Sequence, residues 1–310
     1  MLSLKKALSQ AKKDKVAIAH FNISEFVTFK AIWQACQELS QTAGKKIPVI
    51  IGVSEGEQEF LGTPEIALLI KGMRKQFDYP IFLNADHHKS LESCKKAIDA
   101  GFDAVIIDAA DKSYAENVAL TRSVVEYARA SKNKKVLIEG EIGFIGAGSE
   151  VKDRLPDGVA ITEDTITKAE EAAKFVEETG VDMLAPAIGN VHGMFGSPFV
   201  KGSTAQPEGI SSPYVKHLFI KRVGEIRRAA KVPLVLHGGS GTPDEDFVKA
   251  IEAGVRIVHI STELRRAWRA GIERGLKDHP AEVAPYKLLE SSLSDIKAVV
   301  MQRLKLFNKL

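Results

Sequence analysis

The sequence predicts a (β/α)₈ barrel with additional N- and C-terminal helices. Three observations carry this. Eight short apolar runs alternate with helix-like segments. The runs are continuous rather than alternating in polarity, as parallel strands covered on both faces are. Polar groups gather just past the C-terminal ends of these runs, where such barrels place their chemistry. The competing α/β architecture, a dinucleotide-binding Rossmann domain, needs Gly-x-Gly-x-x-Gly after an early strand, and none is present.

Residues 2–13 read as a short amphipathic helix and Val16 to Phe21 as the first strand. Ser24 can cap the next helix, to about residue 41. Strand two is Ile47 to Val53, ended by Ser54-Glu55-Gly56. Thr63-Pro64 opens a helix with proline at its first position. Ile81 to Leu83 is strand three, helix 91–100 closes at Gly101, and Ala104 to Ile107 is strand four. Helix 114–131 leads to strand five, Val136 to Ile138. Thr167-x-x-Glu170 is a possible capping box before a helix closed by Gly180. Strand six is Met183 to Ala187, strand seven Leu234 to Leu236 and strand eight Val255 to Ile260, with helices 214–230 and 244–253 between. Mostly helix follows. Two long loops, 143–164 and 193–212, follow strands five and six and would rise over one barrel face; loops this long are lids or insertions. No domain linker is visible, so the expectation is one domain over 1–310, with a C-terminal helical extension over about 263–310.

The 310 residues are 45% apolar and 27% charged, an ordinary globular balance with a large core. A formal net charge of +3 is too small to imply nucleic acid. Two cysteines, Cys36 and Cys94, argue against a disulfide framework and for a reducing cytoplasm. Met1-Leu2-Ser3-Leu4-Lys5-Lys6 lacks the apolar core of a signal peptide, and no run approaches the ~20 apolar residues of a membrane span.

Leu83-Asn84-Ala85-Asp86-His87-His88 puts a carboxylate and two imidazoles at a strand end. Six of the eight histidines, His20, His87, His88, His192, His237 and His259, lie at or just past strand ends. A barrel makes His87, His192 and His237 neighbours, and three imidazoles with an open position suit catalytic Zn²⁺. A single histidine there would more simply satisfy a loop hydrogen bond. Asp86 could be a ligand, an orienting group or a general acid/base. Adjacent strand residues point in different directions, which favours proton transfer. Asp108 ends strand four, and Glu139 and Glu141 share one side of strand five. Buried carboxylates there could bind or orient a cation, or bond barrel backbone. Leu236-His237-Gly238-Gly239-Ser240-Gly241 and Ser261-Thr262 occupy the loops after strands seven and eight, a common phosphate position, with Gly239, Ser240, Ser261 and Thr262 as candidates.

Jointly, Asn84-Ala85-Asp86-His87-His88, Glu139-Gly140-Glu141-Ile142-Gly143, Gly189-Asn190-Val191-His192-Gly193 and His237-Gly238-Gly239-Ser240-Gly241 resemble the class II, zinc-dependent fructose-bisphosphate aldolases. The related tagatose-bisphosphate aldolases share these motifs. Phe21-Asn22, Val53-Ser54 and Thr262-Glu263-Leu264 fit too, and the resemblance spans nearly the whole chain. It implies reversible aldol cleavage and condensation of a ketose (bis)phosphate such as fructose 1,6-bisphosphate, within glycolysis or related carbohydrate metabolism. His87, His192 and His237 would hold Zn²⁺, which acts as a Lewis acid on the dihydroxyacetone phosphate ketone and stabilises its enediolate. Asp86 would move the proton of the hydroxyl at the new C–C bond. Asp108, Glu139 and Glu141 would match a second metal position or its orienting shell. Gly193, Gly239, Ser240, Ser261 and Thr262 would match the phosphate site, with K⁺ or Na⁺ near it. Asn22, Ser54, Gly238 and His259 complete the expected substrate-binding set. A homodimer or homotetramer acting on a small sugar phosphate, without nucleic acid or membrane, is implied.

Four departures stand out. His259 replaces the family's asparagine. Asp108-Ala109-Ala110-Asp111 lacks the hydroxyl and imidazole the family carries after strand four. The family's loop glutamate aligns with Ser149, one residue before Glu150, so Glu150 is the expected loop acid, with Asp153 behind it. Lys287-Leu288-Leu289-Glu290 offers no arginine for the distal phosphate, leaving Lys201 or Lys221. Two other functions compete. A metallohydrolase would carry His-x-His after strand one, where this chain reads His20-Phe21-Asn22. A non-catalytic sugar-phosphate binder would account for the replaced asparagine.

Overall fold

Which way each strand residue points decides what the barrel can hold. The computed structural model describes residues 2–146, 151–152, 161–195 and 216–310. Its barrel strands are β1 (Ile18–Asn22), β2 (Val49–Ser54), β3 (Ile81–His88) and β4 (Ala104–Ile107), then β5 (Leu137–Ile142), β6 (Met183–Pro186), β7 (Leu234–Leu236) and β8 (Val255–Ile260). They pair in parallel in sequence order, and β8 closes onto β1 with His20 opposite His259. This is the expected (β/α)₈ TIM barrel. Outside it, Val151–Lys152 pairs with Met194–Phe195, tying the loop after β5 to the loop after β6.

Inward positions change character along the strands. Ile18, Ile50, Phe82, Leu137, Met183, Val235 and Ile257 form an apolar plug at the N-terminal end. Helix α1 (Leu4–Asp14) closes that end, burying Leu4, Ala7, Leu8 and Ala11 against the plug. Two residues further along, the inward positions become His20, Asn84, Glu139, His237 and His259, all buried. The period of two thus stacks polar groups above an apolar floor. Gly52 makes room in that polar layer: a Cβ there would lie 2.0 Å from Cε1 of His20.

Between strands run α2 (Phe26–Ala43), α3 (Glu55–Leu61), α4 (Thr63–Phe77), α5 (Leu91–Ala100) and α6 (Tyr114–Ala130), followed by α7 (Ala169–Thr179), α8 (Ile220–Ala230) and α9 (Asp244–Ala253). After β8 come α10 (Thr262–Asp278), α11 (Pro285–Leu288) and α12 (Glu290–Asn308). The main core lies between strands and helices. Three local expectations are corrected. Glu25, not Ser24, caps α2, its carboxylate accepting from the backbone N–H of Thr28 at 2.7 Å and of Val27. Ser54 does not simply end β2. It starts α3, with its N–H and hydroxyl both donating to Glu57 (2.9 and 3.0 Å). The capping box before α7 is shifted by one: Lys168 N–H donates to Glu171 at 3.1 Å. Thr167 is buried instead, donating to the Ile142 carbonyl and accepting from Ala187 N–H, each at 2.9 Å, which staples β5 to β6.

Candidate active site

The barrel mouth begins with a break in β3. Its pairing with β4 slips between Ala85 and His88, and His87 takes a left-handed φ of 51°. An inserted residue of this kind suspends strand alternation locally. Asp86 and His87 therefore both line the mouth, yet they fall into different side-chain groups, in keeping with the expectation that they do not share one ion. Asp86 Oδ1 lies 3.9 Å from His87 Nε2. His88 rejoins the ladder opposite Ile107, outside this cluster.

His192 and His237 arrive from the ends of β6 and β7, strands that do not pair with β3. Asn190 shapes the loop before His192, accepting from Ile188 N–H at 2.7 Å and donating to the His237 carbonyl at 3.0 Å. The backbone N–H of His192 donates to Ile145 at 2.9 Å. One ring nitrogen each from His87, His192 and His237 and one Glu141 oxygen all lie within 4.8 Å of one another. His87 Nε2 and His237 Nδ1 face each other at 2.9 Å. The outer nitrogens are held by carboxylates: His87 Nδ1 by Asp108 at 2.8 Å and His237 Nε2 by Glu139 at 2.7 Å. Carboxylates so placed fix the ring orientation of metal-ligating histidines. Lys89 also binds Asp108, at 2.7 Å. Among the described residues, His192 Nε2 and Glu141 Oε2 are buried without a hydrogen-bond partner. Two orphaned buried ligand atoms of this kind, from β5 and the loop after β6, converging with His87 and His237, fit a divalent cation.

The charges are strongly coupled. Burial disfavours a proton on His87, but Asp86, Asp108 and Glu141 outweigh it and push the group up to about 10. Burial, reinforced by His87 and His237, holds His192 well below the usual imidazole range. Burial raises Glu141 to about 7 against the attraction of His87. Burial would also raise Asp86, but His87 and His259 overcome it and hold the carboxyl well below its ordinary value.

Beside the imidazole cluster lies a second group. His259 stacks face to face on His20, with centroids 3.5 Å apart and planes 1° apart. Its Nδ1 lies 3.2 Å from Asp86 Oδ1, off the line of a hydrogen bond. Asn22 holds the other Asp86 oxygen at 2.9 Å and also donates to Glu57 at 3.0 Å. Burial lowers His20 to about 4 and His259 well below the usual range. One cavity is lined by Asn22, Asp86, His87, His192, Gly193, Gly238, Gly239, Ser240, His259, Ser261 and Thr262. It unites metal, proton-transfer and phosphate candidates.

Backbone crowding shapes the phosphate side. Gly238 has φ of 60°, and a Cβ on it would lie 2.6 Å from the carbonyl carbon of Val191. The Ser240 hydroxyl accepts from the N–H groups of Ser261 and Glu263 at 3.2 and 3.3 Å, so it braces the start of α10. Gly241 N–H donates to Glu263 at 2.9 Å, and Arg303 of α12 clamps Glu263 at 2.8 Å. Behind these loops Lys216 is buried, its ammonium donating to the carbonyls of Gly193, Gly238 and Ser240.

A family model described as class II fructose-bisphosphate aldolase matches residues 2–310. The chain belongs to the class II fructose-bisphosphate aldolase family. A fructose-bisphosphate aldolase of Geobacillus stearothermophilus is 34% identical, with 99% of this chain and 96% of the relative aligned. One from Staphylococcus aureus strain Mu50 is also 34% identical, over 99% and 97%. Among solved structures, the YdjI aldolase from Escherichia coli K12 matches with a TM-score of 0.76 and 26% identity, over 99% of this chain and 97% of that one. Class II aldolases generally depend on a metal, and the His87, His192, His237 and Glu141 group is a candidate for holding it.

Not every expected class II residue lies in the cavity. Ser54 is bonded to Glu57 beside it. Lys221 is 91% exposed and sits 3.9 Å from Glu225. Glu150, Asp153 and Lys201 lie outside the described residues. Lys216, Glu57 and Lys89 were not legible in advance. Lys216 reads as the first turn of the expected helix 214–230, which instead begins at Ile220, and Glu57 and Lys89 read as surface charges. No helix among the described residues is long and apolar enough to cross a membrane.

Proposed function

We propose that this chain is a zinc-dependent aldolase that reversibly cleaves a ketose (bis)phosphate such as fructose 1,6-bisphosphate. The observation that carries the reading is the convergence of His87, His192 and His237, each supplied by a different strand, beside Asp86. His87, His192 and His237 would hold Zn²⁺, with Glu141 next to them and Asp108 and Glu139 orienting the rings. Bound there, the metal supplies Lewis-acid polarisation of the substrate carbonyl.

The remaining chemistry belongs to the chain. Asp86 is ionised and held by Asn22, so it can take and return the hydroxyl proton at the C–C bond. Ser261, Thr262 and the backbone of Gly193, Gly238, Gly239 and Ser240 line the same cavity and would seat a phosphate. Glu150 is the proposed acid for the carbon-bound proton. His259 would touch the substrate where the family has asparagine. The reading places the enzyme in cytoplasmic glycolysis or related carbohydrate metabolism, as a homodimer or homotetramer.

A zinc-loaded assay across fructose and tagatose bisphosphates and shorter ketose phosphates tests this. Cleavage of a bisphosphate supports it, and no turnover on either bisphosphate would sink the substrate assignment. Deuterium exchange into dihydroxyacetone phosphate separates enzyme from mere binder. Binding without exchange would favour the non-catalytic alternative, which the buried, stacked His259 motivates.

A further inference from the structure

Lys216 is 1% exposed. Its Nζ donates to the carbonyls of Gly238 at 2.9 Å and Ser240 at 2.6 Å, and to that of Gly193. An ammonium has three N–H donors, and three backbone carbonyls meet them here. A cluster of inward-turned carbonyl oxygens is the ligand type that replaces the hydration shell of a monovalent cation. Taking a lysine charge out of water is costly unless such dipoles compensate it. The carbonyls belong to the loops after β6 and β7, which also line the candidate phosphate cavity. K⁺ or Na⁺, implied there by the family resemblance, does not fit between these oxygens because they already accept from Lys216.

We propose that the Lys216 ammonium is a built-in replacement for the monovalent cation, so that sugar-phosphate binding by this chain is independent of K⁺ and Na⁺. The geometry supplies the reason. A trans peptide points its N–H opposite to its C=O. Anchoring the Gly238 carbonyl on Lys216 therefore fixes the direction of the Gly239 N–H, and anchoring Gly193 fixes that of Met194. Lys216 acts as a positioning residue: it holds the loop backbone and places a positive charge behind the anion site.

The inference rests on the aldolase reading, and the test keeps the two apart. Turnover is measured in K⁺- and Na⁺-free buffer with tetramethylammonium chloride, then with KCl or NaCl at equal ionic strength. The wild type should hold its kcat/KM within about twofold across these salts. Lys216→Met should raise KM about tenfold or more with a smaller change in kcat, and KCl or NH₄Cl should partly restore KM where tetramethylammonium does not. Stimulation of the wild type about tenfold by K⁺ or Na⁺, or an unchanged KM in Lys216→Met, would overturn the proposal. Calorimetry of the wild type with inorganic phosphate in the same salts reads the claim without catalysis and without a variant that must fold. Salt-independent binding supports it; binding that needs K⁺ or Na⁺, or no binding in any of them, overturns it. If no ketose phosphate is cleaved, the aldolase reading fails and the phosphate titration still decides the role of Lys216.

Discussion

Asp86 and His87 are adjacent in sequence and have separate surroundings in the fold. His87 belongs to the imidazole group with Glu141, whereas Asp86 groups with His20 and His259. Asp86→Asn should therefore lower kcat by about 10²-fold or more while zinc content stays unchanged. Metal analysis beside kinetics checks this, and loss of metal would make Asp86 a ligand. His192→Ala should lose both metal and activity, because its buried Nε2 has no hydrogen-bond partner among the described residues and sits within the candidate metal group. His259→Asn should shift the ratio of kcat/KM between bisphosphates and shorter ketose phosphates, and an unchanged ratio would remove His259 from substrate selection. The candidate residues were legible because polar side chains at strand ends are conspicuous. The turn that lets Asp86 and His87 both line the mouth was not legible. It depends on a positive φ at a non-glycine residue, which no local pattern announces.

At the scale of elements, the C-terminal helices brace the phosphate side. Arg303 of α12 reaches Glu263 in the first turn of α10, and Glu263 accepts from Gly241 N–H. Asp244 of α9 also binds Arg303. Arg303→Met leaves the buried Glu263 charge without its partner and should cost about 3 kcal/mol of stability. Adding Glu263→Gln should recover part of that loss in thermal or denaturant unfolding. A stability of Arg303→Met equal to wild type would make the clamp incidental. The order of strands and helices could be read from apolar runs and their spacing. Helix α3 could not, since Ser54-Glu55-Gly56 looks like a turn until Glu57 folds back to bond Ser54. The shift of the α7 cap has a tertiary cause, because Thr167 serves Ile142 and Ala187 instead.

For the whole molecule, binding of the metal is tied to protonation and to stability. Zinc ligands must be unprotonated. His87 in the metal-free site is pushed up to about 10, so it carries a proton at neutral pH that the metal must displace. Zinc affinity should therefore rise with pH up to about 10 and zinc uptake should release protons, measured by calorimetry in buffers of different ionisation enthalpy. Affinity that is flat with pH would contradict the assignment of His87. The metal also binds only the folded barrel, so chelation should lower the melting temperature as well as activity. The barrel frame was visible in the eight-fold alternation, and the apolar floor under a polar layer follows from its period of two. Placement of Lys216 against three carbonyls arises only when the loops after β6 and β7 meet. The most direct test of the account is cleavage of fructose 1,6-bisphosphate before chelation, after complete metal removal and after zinc is returned. The account predicts activity, then its loss, then its recovery with zinc in wild type but not in His192→Ala. Cleavage that survives complete removal of metal would contradict it.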